Sequence, residues 1–395
     1  MNQQSGRALL DAIKIHGVEN VSLLASLAGL STETTRYQVW HELPSRGIKS
    51  DVEFNFKLMG LERWILRVDF PNHVDAKTIV DFLRQEAGAT YGAQVLPGRC
   101  IMALMLIPTY EEYHLRRILD WLVSMSYIEA YELERMNWFR SISLNLDYYD
   151  IREGAWDIDW NSVEKTLLTK KKLALPESQS TRTPPVLDAK DIHLIQRLQM
   201  KLPSSISKLA VSAELNQFNA RYHYNNHVKR YVEGYCVRAK QNHRRQRNPD
   251  ATFLFSYMLE GLCDLAEVRA CALALPFTTT EWKTDNTYFW LVSCPPEYIA
   301  ATFRYVSKHT CGLKGKFDYE MFDEASEFNQ PIPGHMFDEM RNKWRFEPRI
   351  SLNLFHTSFD SLRSHCEYYR SAHCAYERDG EIHSCRLSVC AFAKR

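Results

Sequence analysis

The sequence has no long apolar run. Its longest uncharged apolar stretch, Cys100 to Pro108, falls well short of the roughly 20 residues that cross a bilayer, which excludes a transmembrane helix. Neither charge dominates: 49 Lys and Arg stand against 48 Asp and Glu, for a net charge of +1. The molecule as a whole therefore exerts no pull on a polyanion, and any nucleic-acid binding must come from local patches. The ten cysteines show no regular spacing before His365, which suits reduced thiols rather than a disulfide framework. The opening Met-Asn-Gln-Gln-Ser-Gly-Arg lacks the apolar core of a signal peptide. A cytoplasmic protein without membrane contact is expected. Also missing are a nucleophile elbow, a phosphate-binding glycine loop, an HExxH pair and a dinucleotide fingerprint. The expectation from these absences is a non-enzyme with no cofactor and no metal.

What is present is an ordinary globular composition, 45% apolar and 25% charged over 395 residues, enough for two to four domains, each with its own core. Internal similarity organises it. Leu30-Ser-Thr-Glu-Thr-Thr-Arg36-Tyr37 corresponds to Leu215-Asn-Gln-Phe-Asn-Ala-Arg221-Tyr222, an offset of 215 − 30 = 185. Ile142-Ser-Leu-Asn-Leu146, preceded by Trp138, corresponds to Ile350-Ser-Leu-Asn-Leu354, preceded by Trp344, an offset of 350 − 142 = 208. The order is preserved, so the chain reads as a duplication. The halves meet near 170 to 187, where Lys170-Lys171-Lys172 leads into a Pro, Ser and Thr-rich linker.

Each half begins with helical periodicity. Leu9, Leu10, Ala12 and Ile13 mark a first helix ending near Gly17, and Val21, Leu24, Leu27 and Ala28 a second. A turn at Gly29-Leu30 leads to a third helix from Thr32 to about Leu43, with Ser31 as N-cap. Val52 to Leu58 is expected to form a wing. The second copy repeats the plan with Asp188 to Met200, Ile206 to Ala213 and a third helix capped by Asn216. Such a trio is a helix-turn-helix, whose third helix can enter the major groove.

Strands and helices then alternate. Trp64, Leu66, Val68 and Phe70 have the period of a half-buried strand. A helix at 75 to 87, a hairpin of 90 to 96 with 99 to 107 turned at Pro97-Gly98, a helix carrying Leu115, Ile118, Leu119, Leu122 and Val123, and a strand from Tyr127 to Leu133 complete a βαββαβ order, the ferredoxin-like arrangement. In the second copy, 251 to 258, 267 to 275, 287 to 294 and 313 to 322 read as strands, with a shortened helix at 261 to 266 and another at 297 to 308.

The expected fold is therefore α+β: two copies of a winged helix-turn-helix followed by a βαββαβ ferredoxin-like domain, plus a C-terminal extension. The boundaries are helix-turn-helix 1 at 1–50, ferredoxin-like domain 1 at 55–140, an extension and linker at 141–187, helix-turn-helix 2 at 188–240, ferredoxin-like domain 2 at 250–325 and the C-terminal extension at 326–395.

This build resembles the leucine-responsive regulator family, Lrp/AsnC, of bacteria and archaea. Leu187-Asp-Ala-Lys-Asp-Ile-His-Leu-Ile-Gln-Arg-Leu-Gln199 is similar to the family's opening LDxxDxxILxxLQ pattern. The resemblance, which covers most of residues 1 to 325 as pattern, implies a transcription regulator that binds double-stranded DNA, pairs through its βαββαβ domains and takes a small-molecule effector there. One chain would supply both halves of the family's dimer, a pseudo-dimer, with further homo-oligomerisation left open. The family's glycine-and-aspartate turn between the second and third strands is replaced by Pro97-Gly98 and Thr284-Asp285-Asn286, which puts the effector in question. The related siroheme decarboxylases share the build and are enzymes. Asn286-Thr-Tyr-Phe-Trp-Leu resembles part of their strand pattern, but the Arg-Glu-His run expected before it is missing. An enzyme of that kind, or a scaffold that never meets DNA, is the alternative.

In the second recognition helix Gln217, Asn219, Arg221, Tyr222, Asn225, Lys229 and Arg230 are the DNA-facing candidates, with Val228 and Tyr224 toward the core. Asn and Gln pair with adenine edges, Arg with guanine, and Lys neutralises phosphate. Arg244, Arg245 and Arg247, near Lys240, are the densest basic cluster: a backbone grip or a solvated linker. In the first module Thr32, Thr34, Thr35, Arg36 and Gln38 are candidates, opposed by Glu33 and Glu42; the other reading is a module kept for packing. Binding dominated by the second module is expected. The tail offers His365, Cys366, His373, Cys374, His383, Cys385 and Cys390, either a zinc set without a paired CxxC or plain reduced thiols. The remaining histidines read as isolated.

Overall fold

The computed structural model describes residues 3–85, 87–170, 186–200, 205–239, 250–260 and 262–346. None of its helices is long and apolar enough to cross a membrane. The described residues form two compact units, one of residues 3–59 with residues 136–321, the other of Gly60–Arg135 with residues 322–346.

The chain opens with α1 (Gln3–His16), α2 (Val21–Ala28) and α3 (Thr32–Tyr37), which runs on as a wider helical turn over Gln38–Glu42 and ends at Leu43–Ser45. Leu9, Leu10, Ile13, Leu24, Val39 and Leu43 close their shared core. Asn20 caps α2, Gly29 ends it with φ +64, and Ser31 caps α3 by accepting from the Thr34 N–H. These are the start and stop residues that satisfy unpaired backbone groups at helix ends. β1 (Ile48–Phe54) follows.

The next elements are β2 (Leu61–Asp69), α4 (Ala76–Gln85), β3 (Ala89–Leu96), β4 (Cys100–Pro108), α5 (Glu112–Ser124) and β5 (Ala130–Arg135). They form the antiparallel sheet β5-β2-β4-β3. Ile79, Phe82 and Leu83 of α4 and Leu115, Ile118, Leu119 and Leu122 of α5 pack on Leu66, Val68, Ile101 and Ala103 of the sheet. This is the βαββαβ fold, each helix burying its apolar stripe on one face.

β6 (Trp138–Ser141) and α6 (Trp160–Lys170) precede a second helical trio, α7 (Ala189–Met200), α8 (Ile206–Ser212) and α9 (Gln217–Asn226), followed by β7 (Val232–Ala239). Then β8 (Ala251–Met258), α10 (Leu262–Ala274), β9 (Thr278–Lys283), β10 (Thr287–Cys294), α11 (Ile299–Thr310) and β11 (Lys316–Phe322) build the second βαββαβ domain. Its strands lie in the order β11-β8-β10-β9. The α+β fold of two helix-turn-helix modules and two ferredoxin-like domains is thus observed. One expectation is corrected: 267–275 is not a strand but most of α10, and the second strand is β9. Every residue from Val268 to Ala274 is buried, and a stretch buried on all sides has no amphipathic period to set it apart from a buried strand.

The extensions are exchanged between the copies. β6, which follows the first βαββαβ domain in sequence, pairs with β9 of the second, from Thr280↔Ser141 to Lys283↔Trp138. Tyr148, Val163 and Leu167 continue into the same core. Reciprocally, Phe328 and Asn329, beyond the second domain, pair with Gly92 and Tyr91 of β3. Phe328, Met336 and Phe346 are buried in the first domain's core.

The wing expected at Val52 to Leu58 is also corrected. The strand is β1, and it pairs antiparallel with β7 of the other module, Ile48↔Ala239 through Phe54↔Val232. In this register Asp51 faces Cys236, and 236 − 51 = 185, the offset of the sequence repeat. Each is the other's repeat equivalent, so a local two-fold axis passes through that pair, as at an isologous contact. The same offset relates Asn20 to Ser205, Gly29 to Glu214 and Ser31 to Asn216. Ser205 and Asn216 cap their helices as Asn20 and Ser31 do, and Glu214 takes the left-handed φ of +55 where the first copy has Gly29. The pseudo-dimeric pairing of the two helix-turn-helix modules is built into one chain.

Candidate functional site

α9 begins at Asn216, whose Oδ1 accepts the Asn219 N–H at 2.8 Å. Ala220, His223 and Tyr224 are buried beneath it, and Val228 just after it. That orientation leaves Gln217, Arg221 and Asn225 exposed at successive intervals of four, one stripe along the helix. Asn219 is half-buried beside it, Tyr222 is exposed, and Lys229 and Arg230 are exposed in the turn after the helix. Phe218 is 81% exposed and adds an apolar neighbour to Tyr222. Among the described residues no carboxylate lies within 4 Å of Arg221, Lys229 or Arg230, though the Lys229 charge reaches Glu19. The stripe presents amide and guanidinium groups to solvent, with two cations beside it.

The first module differs. Thr32 is half-buried, Thr34 is exposed, and Arg36 is exposed but bound to Glu33 one turn earlier. Thr35 and Gln38 are corrected as DNA-facing residues, since both are buried. The Thr35 hydroxyl donates to the Ser31 carbonyl at 3.0 Å, and Gln38 lies at the start of the wider turn, on the face that packs inward. Arg36 also borders an open cleft of about 660 Å³, lined with Glu19, Ser22, Trp40, His41 and, from α8, Lys208. Burial raises the Glu19 carboxyl pKa, against the charge of Lys229 and the hydrogen bond from Tyr235. Arg244, Arg245, Arg247 and the whole tail cluster lie outside the described residues.

Two groupings escaped the sequence reading. Asp191, His223 and His227 converge in the second module, so these histidines are not isolated. The i, i+4 spacing of the pair is visible in the sequence, but their meeting with Asp191 depends on how α9 packs on α7. In the second ferredoxin-like domain Arg269 binds Glu281 through two hydrogen bonds of 3.0 Å, both residues buried. Tyr288 donates to the same carboxylate at 2.8 Å. Burial first, and then the Glu281 charge, hold the Tyr288 phenol well above its ordinary pKa.

No family model and no curated protein matches the chain. Two solved structures do, the siroheme decarboxylase NirDL and the same enzyme in co-complex with an iron-uroporphyrin III analogue. In both comparisons identity is 10% and the TM-score 0.49, over 91% of this chain and 99% of the other. The expectation of a non-enzyme is corrected by this finding: both matched structures are those of an enzyme. The likeness concerns build and assigns a chemical role to no residue of this chain.

Proposed function

We propose that the chain binds double-stranded DNA through its second helix-turn-helix, as a regulator whose two modules are fixed together by the β1–β7 pair. The observation that carries this reading is the exposed stripe Gln217, Arg221 and Asn225 on α9, followed by Lys229 and Arg230. Gln and Asn suit adenine edges, Arg suits guanine, and the two cations suit phosphate. The first module contributes less, because Arg36 is bound to Glu33 and two of its five polar candidates are buried. The test is binding of labelled genomic duplexes by the full chain across a salt series. Affinity should fall linearly in a log–log plot, and Lys229→Ala should reduce the slope by about one. Affinity that ignores salt contradicts the reading.

A second reading follows from the comparisons: an enzyme of the siroheme decarboxylase kind, with a tetrapyrrole bound at the ferredoxin-like domains. It rests on the build alone. Titration with iron uroporphyrin decides it, since saturable binding with a shifted visible band supports the reading and an unshifted spectrum rejects it. The same titration serves as the first trial of a small-molecule effector on those domains.

A further inference from the structure

Asp191 is fully buried in the second helix-turn-helix, and its carboxylate meets two imidazoles. Oδ1 lies 2.9 Å from His223 Nδ1, and Oδ2 lies 2.9 Å from His227 Nδ1. The two histidines are one turn apart on α9, so both rings reach the same side. The carboxylate is held from below by the start of α7: the Asp191 N–H donates to Asp188 Oδ1 at 3.0 Å, and the Asp188 N–H donates to Asp191 Oδ2 at 2.9 Å. Asp188 Oδ1 is itself 3.6 Å from His223 Nδ1. The Tyr222 ring stands edge-on to both imidazoles, with centroids 5.5 and 5.6 Å away.

The first module shows that the helix-turn-helix does not require this cluster. At the repeat offset of 185, Asp191, His223 and His227 correspond to Gly6, Gln38 and Glu42, a set with no imidazole and no buried carboxylate facing one. A buried carboxylate is costly unless an opposing charge or a full set of hydrogen bonds compensates it. Here the second copy has placed two nitrogen ligands and an oxygen ligand within 4.8 Å of one another. Imidazole nitrogen and carboxylate oxygen bind Zn²⁺ at about 2.0–2.2 Å, which sets tetrahedral ligand atoms about 3.4 Å apart. The two histidine-to-carboxylate separations of 2.9 Å, one to each oxygen, are about half an ångström short of that spacing, and all three ligand atoms lie within 4.8 Å of one another.

We propose that Asp191, His223 and His227, completed by Asp188 or a water, bind one divalent transition ion of the zinc class and so fasten the recognition helix α9 to α7. The site goes beyond the DNA-binding reading and does not depend on it. The competing arrangement is a hydrogen-bonded cluster in which both rings donate from Nδ1 to the carboxylate, without an ion.

The test uses the full chain, stripped with a chelator and titrated with Co²⁺ alone. Cys366, Cys374, Cys385 and Cys390 are replaced by serine, so that thiolates of the tail do not report. One Co²⁺ per chain should bind, with the visible d–d bands of a low-coordinate centre and a higher Tm that chelator reverses. His227→Gln should weaken binding at least about tenfold. His227→Cys, which keeps the ligand count, should retain the ion and add a sulfur-to-cobalt charge-transfer band, and it serves if the glutamine variant does not fold. Absence of visible bands in the serine background overturns the proposal, as does uptake that neither His227 substitution alters.

Discussion

Replacing Glu281 by glutamine tests how the second ferredoxin-like domain holds the strand exchanged into it. The Glu281 carboxylate takes two hydrogen bonds from Arg269 and one from Tyr288, at 3.0, 3.0 and 2.8 Å. Across the guanidinium lies the Trp138 ring, its centroid 5.7 Å away, and Trp138 belongs to β6. A glutamine keeps one acceptor oxygen but turns an N–H₂ toward donors and removes the negative charge beside a buried cation. Breaking a buried pair on one side costs about 3–5 kcal/mol, and the low end applies because one acceptor survives. About 3 kcal/mol corresponds to roughly a hundredfold in an opening equilibrium. Native-state hydrogen exchange reads it locally. The Asn137 and Ile142 amides, which donate to Lys283 and Thr279 at 2.7 and 2.8 Å, should exchange about a hundredfold faster, while amides in the β2–β4 ladder keep wild-type protection. The paired variant Arg269→Met with Glu281→Leu should recover part of the loss, since it leaves no unmatched charge but deprives the buried Tyr288 hydroxyl of its acceptor. Protection in Glu281→Gln within about threefold of wild type, a difference well under 1 kcal/mol, would refute the reasoning.

Arg221→Ala should cost about 1–3 kcal/mol of DNA affinity and Arg36→Ala clearly less, because Arg36 is bound to Glu33; equal losses in a binding titration count against the asymmetry. Glu214→Gly should stabilise the second module by up to about 1 kcal/mol, since glycine relieves a left-handed φ that costs other residues about 1–2 kcal/mol; a lower denaturation midpoint contradicts this. Burial pushes the Cys271 and Cys294 thiols from 9.0 up to about 12. Their folded pKa is raised, so the stability tied to these thiols is complete below pH 9 and is lost as pH climbs toward 12. Among the described cysteines a thiolate-directed alkylating agent at neutral pH should therefore label the exposed Cys311 and spare Cys271 and Cys294, as peptide mass mapping would show.

Both helix-turn-helix modules were legible because their signals are local. Asn20, Ser31, Ser205 and Asn216 act within their own turns, and in the first βαββαβ domain the helices keep an amphipathic stripe while β4 stands out as an unbroken apolar run. What stayed hidden depends on packing between segments far apart in sequence. From Val268 to Ala274 every residue of α10 is buried, so the period of that stretch is erased. β6 and the strand at Phe328 pair with the opposite copy, and nothing within either segment encodes that choice. The 185-residue offset was readable, but only the register that sets Asp51 against Cys236 turns it into a symmetry axis. Thr35 and Gln38 looked like exposed polar residues because side-chain type was read without the helix's orientation. Asp191 fits the opening LDxxDxxILxxLQ pattern, and only the approach of α9 brings His223 and His227 onto it.

The central claim is sequence-specific DNA binding led by α9, and the most direct test is selection and sequencing of genomic fragments retained by the full chain and by Arg221→Ala. The account predicts a shared motif for the full chain, retained less as salt rises, and loss or relaxation of that motif in the variant. No retention at low salt, or an identical motif and yield for both proteins, would contradict it.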